Sequence, residues 1–203
     1  MKILCIGKNY AEHVKEMKSA VPTEPVYFMK PDTALVKDGA PFYLPDFSSD
    51  LHHEVEIVLK INRNGKNIEE QFAHKYFDEI SIGIDFTARD IQAKCKEKGL
   101  PWEKAKAFDN SAPIGKFVPK TKYADLGSLS FRLDINGKTV QQGNTKDMIF
   151  NYAKCISYVS KFHTLKQGDL LYTGTPEGVG PVKAGDKLEA FIEGEKLLEF
   201  EVK

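Results

Sequence analysis

Two glutamates one residue apart, Glu54 and Glu56, lie in an otherwise largely apolar stretch, LHHEVEIVLK (residues 51–60). Residues 55–60 carry no Gly or Pro and are mostly β-branched or apolar, which predicts a strand. A strand repeats every two residues, so Glu54 and Glu56 share one face while Val55 and Ile57 share the other. Neighbouring carboxylates on an apolar strand repel one another and lose hydration when buried. A divalent cation with hard oxygen ligands, Mg²⁺, Mn²⁺ or Ca²⁺, removes both costs. The alternative is a solvated polar face on an edge strand. Asp85 ends a second apolar run, ISIGIDF (80–86), and can complete a three-carboxylate site if that end faces the first strand.

Other residues offer complementary chemistry. His13 and Glu16 are three apart in a segment with helical character, so they share a face. A carboxylate beside an imidazole raises its basicity and fixes its tautomer, which suits a general base acting on water; an ordinary surface pair is the competing reading. Arg89 and Gln92 follow Asp85 by four and seven residues and lean to its side. Arg89 can clasp a substrate carboxylate with two parallel hydrogen bonds, or pair with Asp85. Lys106 stands among small and aromatic residues in LPWEKAKAFD (100–109), which places it either near a buried anion or on the surface. The loop TGTPEGVGP (173–181) holds three glycines, two prolines and Thr175. Such a loop brings backbone N–H groups close to an anion, or is simply a tight turn. It lacks the spacing of a nucleotide-binding P-loop.

The elements that must hold these residues are mostly strands. Residues 2–6, 25–29, 55–60, 80–86, 168–172 and a closing hairpin over 186–202 read as extended, and Asn136-Gly137 predicts a type I′ hairpin between residues 130–135 and 138–142. Asn9 is expected to cap a short helix that ends before Pro22, and Thr87 one that runs to Lys98 and stops at Gly99. Residues 68–77 read as a short helix, and Thr145 is expected to cap a core helix over 146–162. Lys30-Pro31-Asp32 reads as a turn.

Composition narrows the function classes. The 203 residues carry 29 basic and 29 acidic side chains, so no net charge draws the chain to nucleic acid or an anionic membrane. No apolar run is long enough to span a bilayer, and the amino terminus does not read as a signal peptide. Cys5, Cys95 and Cys155 are widely spaced without a CxxC pair, which argues against zinc and disulfides. The expectation is a cytoplasmic protein of one domain over residues 1–203.

Five stretches taken together, GKNYAEHVKEM (7–17), LHHEVEI (51–57), GIDFTARDIQ (83–92), KGLPWEKAKAFD (98–109) and YTGTPEGVGPVKAGD (172–186), resemble the fumarylacetoacetate hydrolase family, in particular its small acylpyruvase and oxaloacetate decarboxylase branch. The resemblance implies an α+β, mostly β fold, the mixed β-sandwich roll of that family's C-terminal domain, as a homodimer. It implies that Glu54, Glu56 and Asp85 hold Mg²⁺ or Mn²⁺, and that His13 and Glu16 form a catalytic dyad on a lid helix at about residues 9–20. It further implies that Lys106 is the active-site lysine, and that Arg89, Gln92 and Thr175 line the substrate pocket. Lys8 stands where relatives often carry Arg. The activity implied first is hydrolysis of acylpyruvate-type 2,4-diketo acids to pyruvate and a carboxylic acid. Oxaloacetate decarboxylation, isomerisation or decarboxylation of 2-hydroxyhepta-2,4-diene-1,7-dioate, and a non-catalytic 2-oxo-acid sensor are the alternatives.

Overall fold

The computed structural model describes residues 1–37 and 39–203. Its central feature is a six-stranded mixed sheet in the order Val26–Lys30, Ile3–Gly7, Leu170–Tyr172, Val55–Ile61, Phe77–Ile84, Val118–Pro119. Val55–Ile61 lies inside this sheet, antiparallel to both Leu170–Tyr172 and Phe77–Ile84, while Ile3–Gly7 runs parallel to Leu170–Tyr172. The edge-strand alternative for the Glu-x-Glu stretch is therefore excluded. The alternation read from the sequence sorts side chains onto two faces. Val55, Ile57, Leu59 and Ile61 pack into the larger core with Ile80, Ile82 and Ile84. Val58 packs on the other face with Cys5 and Tyr172.

A four-stranded antiparallel sheet, Lys138–Asn144, Ser130–Ile135, Lys187–Ile192, Glu195–Glu201, contributes Leu133, Leu188, Ala190 and Ile192 to the larger core. Its two tight turns carry left-handed residues at Asn136-Gly137 and Glu193-Gly194, the conformations that such hairpins demand. A small sheet of Gly180–Pro181, Leu51–His53 and Thr87–Ala88 ties the glycine-rich loop, the approach to Glu54 and the approach to the helix after Asp85 into one unit. The sheets are open-edged, with no closed barrel among the described residues.

Four α-helices are present among the described residues: α1 (Ala11–Glu16), α2 (Arg89–Lys98), α3 (Glu103–Lys106) and α4 (Tyr152–Phe162). Gly99 stops α2 in the left-handed conformation, as expected. The expected caps differ. Tyr10 precedes α1 without a side-chain cap, because the Asn9 amide is used elsewhere. Ala88 precedes α2, because Thr87 is in a strand and its hydroxyl oxygen accepts from the Lys106 ammonium. Residues 145–147 form a 3₁₀ turn, and α4 begins only after Asn151, whose side chain accepts from Lys154 N at 2.9 Å. Thr145 instead accepts from Leu129 N at 2.8 Å and donates to Leu126 O at 2.9 Å, fastening two loops. The helix expected over 68–77 is a 3₁₀ segment, Glu70–Lys75, and Phe77 already belongs to a strand. No helix among the described residues is long and apolar enough to cross a membrane.

Candidate metal and active site

The strand pairing places the carboxylates. Glu54 immediately precedes Val55–Ile61, and its carbonyl accepts from Asp85 N at 2.8 Å, so the end of one strand is pinned to the start of its neighbour. Glu56 pairs in register with Gly83 two residues before Asp85. Glu54, Glu56 and Asp85 are all buried, and each puts one carboxylate oxygen within 4.8 Å of the others.

Cations surround the cluster. Lys106, at the end of α3, is buried and donates to Glu54 Oε2 and Asp85 Oδ2, both at 2.8 Å, and to Thr87 Oγ1. Arg89, at the start of α2, donates to Glu54 Oε1 at 2.6 Å and to Gln92 Oε1 at 2.8 Å. Its ion-pair partner is Glu54 rather than Asp85. Lys30 is expected from the sequence in a turn. It is instead the last residue of a strand, 1% exposed, with its ammonium 2.8 Å from Asp85 Oδ1. Its protons go to the carbonyls of Phe86, Lys106 and Ser111 and to Ser111 Oγ, so Asp85 Oδ1 is charge-paired yet receives no hydrogen bond.

The electrostatics divide the glutamates. Burial pushes the Glu54 carboxyl up, but Lys106 and Arg89 outweigh it and hold the group well below the usual carboxylate range. Burial raises Glu56, and Asp85 and Glu54 raise it further, against the lowering effect of the Gly174 N–H. Burial acts to lower Lys106, but Asp85 and Glu54 raise it above the ordinary lysine value. A buried oxygen-only cluster with an acceptor lacking a donor at Asp85, and with one carboxyl that resists ionisation beside two others, fits a hard divalent cation.

The helix α1 and the glycine-rich loop meet over this cluster. His13 Nδ1 lies 3.0 Å from Glu16 Oε2 across one turn of α1. Glu16 Oε1 accepts from Gly178 N at 3.0 Å, which ties α1 to the glycine-rich loop. The same loop donates from Gly174 N to Glu56 Oε2 at 2.6 Å. The anions approached by its N–H groups thus include two glutamates of the protein itself. Gly174 has a φ of 102°, and a β-carbon there would meet Asn9 Cβ at 2.6 Å. Thr175 joins His13, Arg89, Gln92, Lys106 and the three carboxylates in lining one pocket.

Three supporting residues escaped the sequence reading. Gln141 is buried; its Oε1 accepts from Val55 N and faces His53 Nδ1, and its Nε2 donates to Thr175 Oγ1 and Pro176 O. Asn9 is fully buried, donates to Thr173 O and Phe150 O, and accepts from Phe150 N. Lys30 is the third. Each lies far in sequence from its partners, so no local spacing marks it.

The family model described as Fumarylacetoacetate (FAA) hydrolase C-terminal matches residues 2–203. The chain belongs to the fumarylacetoacetate hydrolase family. Within the family it is 48% identical over 201 residues to oxaloacetate tautomerase FAHD1, mitochondrial, of Mus musculus, covering 99% of this chain and 91% of that protein. It is 45% identical over 197 residues to oxaloacetate tautomerase YcgM of Escherichia coli (strain K12), covering 97% and 90%. The crystal structure of fumarylpyruvate hydrolase from Pseudomonas aeruginosa in complex with Mn²⁺ and pyruvate superposes with a TM-score of 0.94 at 35% identity, covering 100% of this chain and 89% of that one. The expected fumarylacetoacetate hydrolase C-terminal fold is the fold found.

Proposed function

We propose that this chain is a divalent-metal-dependent enzyme acting at C3 of a small 2-oxo acid, and that its principal reaction is keto–enol interconversion of oxaloacetate. The observation that carries this reading is one pocket lined by both the buried Glu54–Glu56–Asp85 cluster and His13, whose Nδ1 is paired with Glu16. The oxaloacetate tautomerases among the relatives support the choice of substrate. When bound, Mg²⁺ or Mn²⁺ supplies the Lewis acidity that polarises a C2 carbonyl and acidifies C3–H.

The residues divide the remaining work. With Nδ1 turned to Glu16, His13 offers Nε2 to take the proton from C3, and the C2 oxygen gains a proton as the enol forms; the reverse transfers restore the ketone. Glu16 fixes the tautomer, and its carboxylate offsets the positive charge of the imidazolium. Lys106 spends its protons on Glu54, Asp85 and Thr87. In this arrangement it orients the carboxylates, and donation to a substrate oxygen requires it to release one of them. Arg89 has one buried N–H, at Nε, with no partner, which suits a substrate carboxylate. Gln92 steers the guanidinium and Thr175 borders the reacting face.

Acylpyruvate hydrolysis is the second reading. The His13–Glu16 pair favours it, being equally suited to taking a proton from a water that attacks C4, after which the C3–C4 bond breaks to give pyruvate and a carboxylic acid. The likeness to fumarylpyruvate hydrolase supports it too. Decarboxylation of oxaloacetate and a double-bond shift in a longer dienoic diacid use the same C3 chemistry. The homodimer and a cytoplasmic location belong to this proposal; sedimentation of the purified protein and imaging of a tagged chain check them.

The test follows the ultraviolet absorbance of enol oxaloacetate dissolved into buffer with Mg²⁺, with and without EDTA, with acetylpyruvate in parallel. EDTA-sensitive acceleration of enol decay without pyruvate release supports the tautomerase. EDTA-sensitive conversion of acetylpyruvate to pyruvate and acetate, without effect on the enol, replaces it with the hydrolase. Metal-dependent binding of both acids without turnover of either leaves a sensor and overturns the enzymatic reading.

A further inference from the structure

Lys96 is a cation that the chemistry above does not use. It follows Arg89 by seven residues and Gln92 by four on α2, so the three form one stripe along the helix. All three line the pocket of the carboxylate cluster. Lys96 is exposed at its rim, with its ammonium 5.5 Å from the centre of the Trp102 ring, another lining residue. Lys8 lines the same pocket from the turn between Ile3–Gly7 and α1. Its φ of 58° is in the left-handed region, which a residue with a β-carbon adopts at a cost, and such strain gathers at functional sites. Desolvation, then the charges of Arg89 and Lys8, lower the Lys96 pKa.

The acids here are already claimed. Glu54 pairs with Lys106 and Arg89, and Asp85 with Lys106 and Lys30. Neither Lys8 nor Lys96 forms an ion pair among the described residues. Four cationic side chains, Lys8, Arg89, Lys96 and Lys106, face three carboxylates in the lining. Positive charge is therefore in excess before any metal binds, and a divalent ion increases it. With a divalent ion bound, one substrate carboxylate leaves positive charge unmatched, and the two lysines that line the pocket with Arg89 suit a second.

We propose that Lys96, with Lys8 beside it, receives the second carboxylate of a dianionic 2-oxo acid, so that the pocket selects dicarboxylates over monocarboxylates of equal length. This deepens the 2-oxo-acid reading above and rests on it.

The test compares wild type, Lys96→Met, Lys8→Met and Lys96→Arg. In the turnover arm, the ratio of kcat/KM for oxaloacetate to kcat/KM for acetylpyruvate falls about tenfold or more in each Met variant, equivalent to about 1.4 kcal/mol, and Lys96→Arg recovers most of it. In the binding arm, calorimetry with Mg²⁺ present compares 2-oxoglutarate with 2-oxopentanoate, which lacks only the second carboxylate. Wild type binds 2-oxoglutarate more tightly, and both Met variants lose that preference. An equal affinity of wild type for the two acids, or Met variants that weaken both members of each pair alike, overturns the proposal. The binding arm needs no turnover. If wild type converts neither oxaloacetate nor acetylpyruvate, the assigned reaction fails, while the binding preference still decides the role of Lys96.

Discussion

At the scale of single residues, the site depends on charges that are buried in balance. Lys30 shows this most simply, because its ammonium neutralises Asp85 and also donates to three carbonyls. Lys30→Met leaves the buried Asp85 carboxylate without that cation, and removing one partner of a buried pair costs about 3–5 kcal/mol; urea denaturation of the metal-free protein measures the loss. Glu56 gives a second prediction. Its carboxyl is raised in the folded protein by burial and then by Asp85 and Glu54. A raised folded pKa contributes stability that is complete below the unfolded glutamate value of about 4.3 and is lost as pH rises through the folded one. A cation at the cluster displaces that proton, so metal binding releases protons and tightens as pH rises. Calorimetric titration of Mg²⁺ in two buffers of different ionisation enthalpy reads the release directly. Glu56→Gln has no proton to displace, so it abolishes the buffer dependence and weakens binding. The carboxylates were legible in the sequence because a Glu-x-Glu on an apolar strand is physically conspicuous. Lys30 was not, since Lys-Pro-Asp reads as a turn until the sheet places its end beside Asp85.

At the scale of elements, register does the positioning. Gly83 lies opposite Glu56 because the Tyr172 ring occupies the space a side chain would need, and a β-carbon there would stand 2.7 Å from it. Gly83→Ala therefore pushes Tyr172 away, at about 1–3 kcal/mol for overpacking, and shifts Glu56 with it. A lower denaturation midpoint together with weaker Mg²⁺ binding is expected; lost stability at unchanged affinity would contradict the link. Strands were readable where alternation was strong, as in Val55–Ile61, and hairpins where Asn-Gly or Glu-Gly marked the turn. Helix starts were not. Asn9, Thr87 and Thr145 all have the composition of caps, yet each spends its side chain on a distant segment. Local chemistry could not reveal that competition, because the partners lie 16 or more residues away in the chain.

At the scale of the whole molecule, the core and the site share one sheet and differ in what they need from it. Ile82 is fully buried among strands facing away from the carboxylates. Ile82→Ala costs about 2–5 kcal/mol of stability while leaving Mg²⁺ affinity within a few fold, as denaturation and titration together would show. Because Lys106, Arg89 and Lys30 already balance the acids, chelation is expected to abolish metal-dependent turnover while the circular dichroism spectrum stays that of the folded chain. The contact between Glu16 and Gly178 reaches further. Among the described residues a single hydrogen bond joins the six-residue α1, which carries the proposed base His13, to the loop that also holds Glu56. In the proposed lid motion, opening that bond carries His13 away with the helix, which makes admission of ligand and assembly of the proposed base separate steps. Stopped-flow mixing should consequently resolve two phases, a fast one that grows with ligand concentration and a slower one that levels off at the closing rate of α1. Glu16→Ala should change the plateau of the second phase without changing the slope of the first.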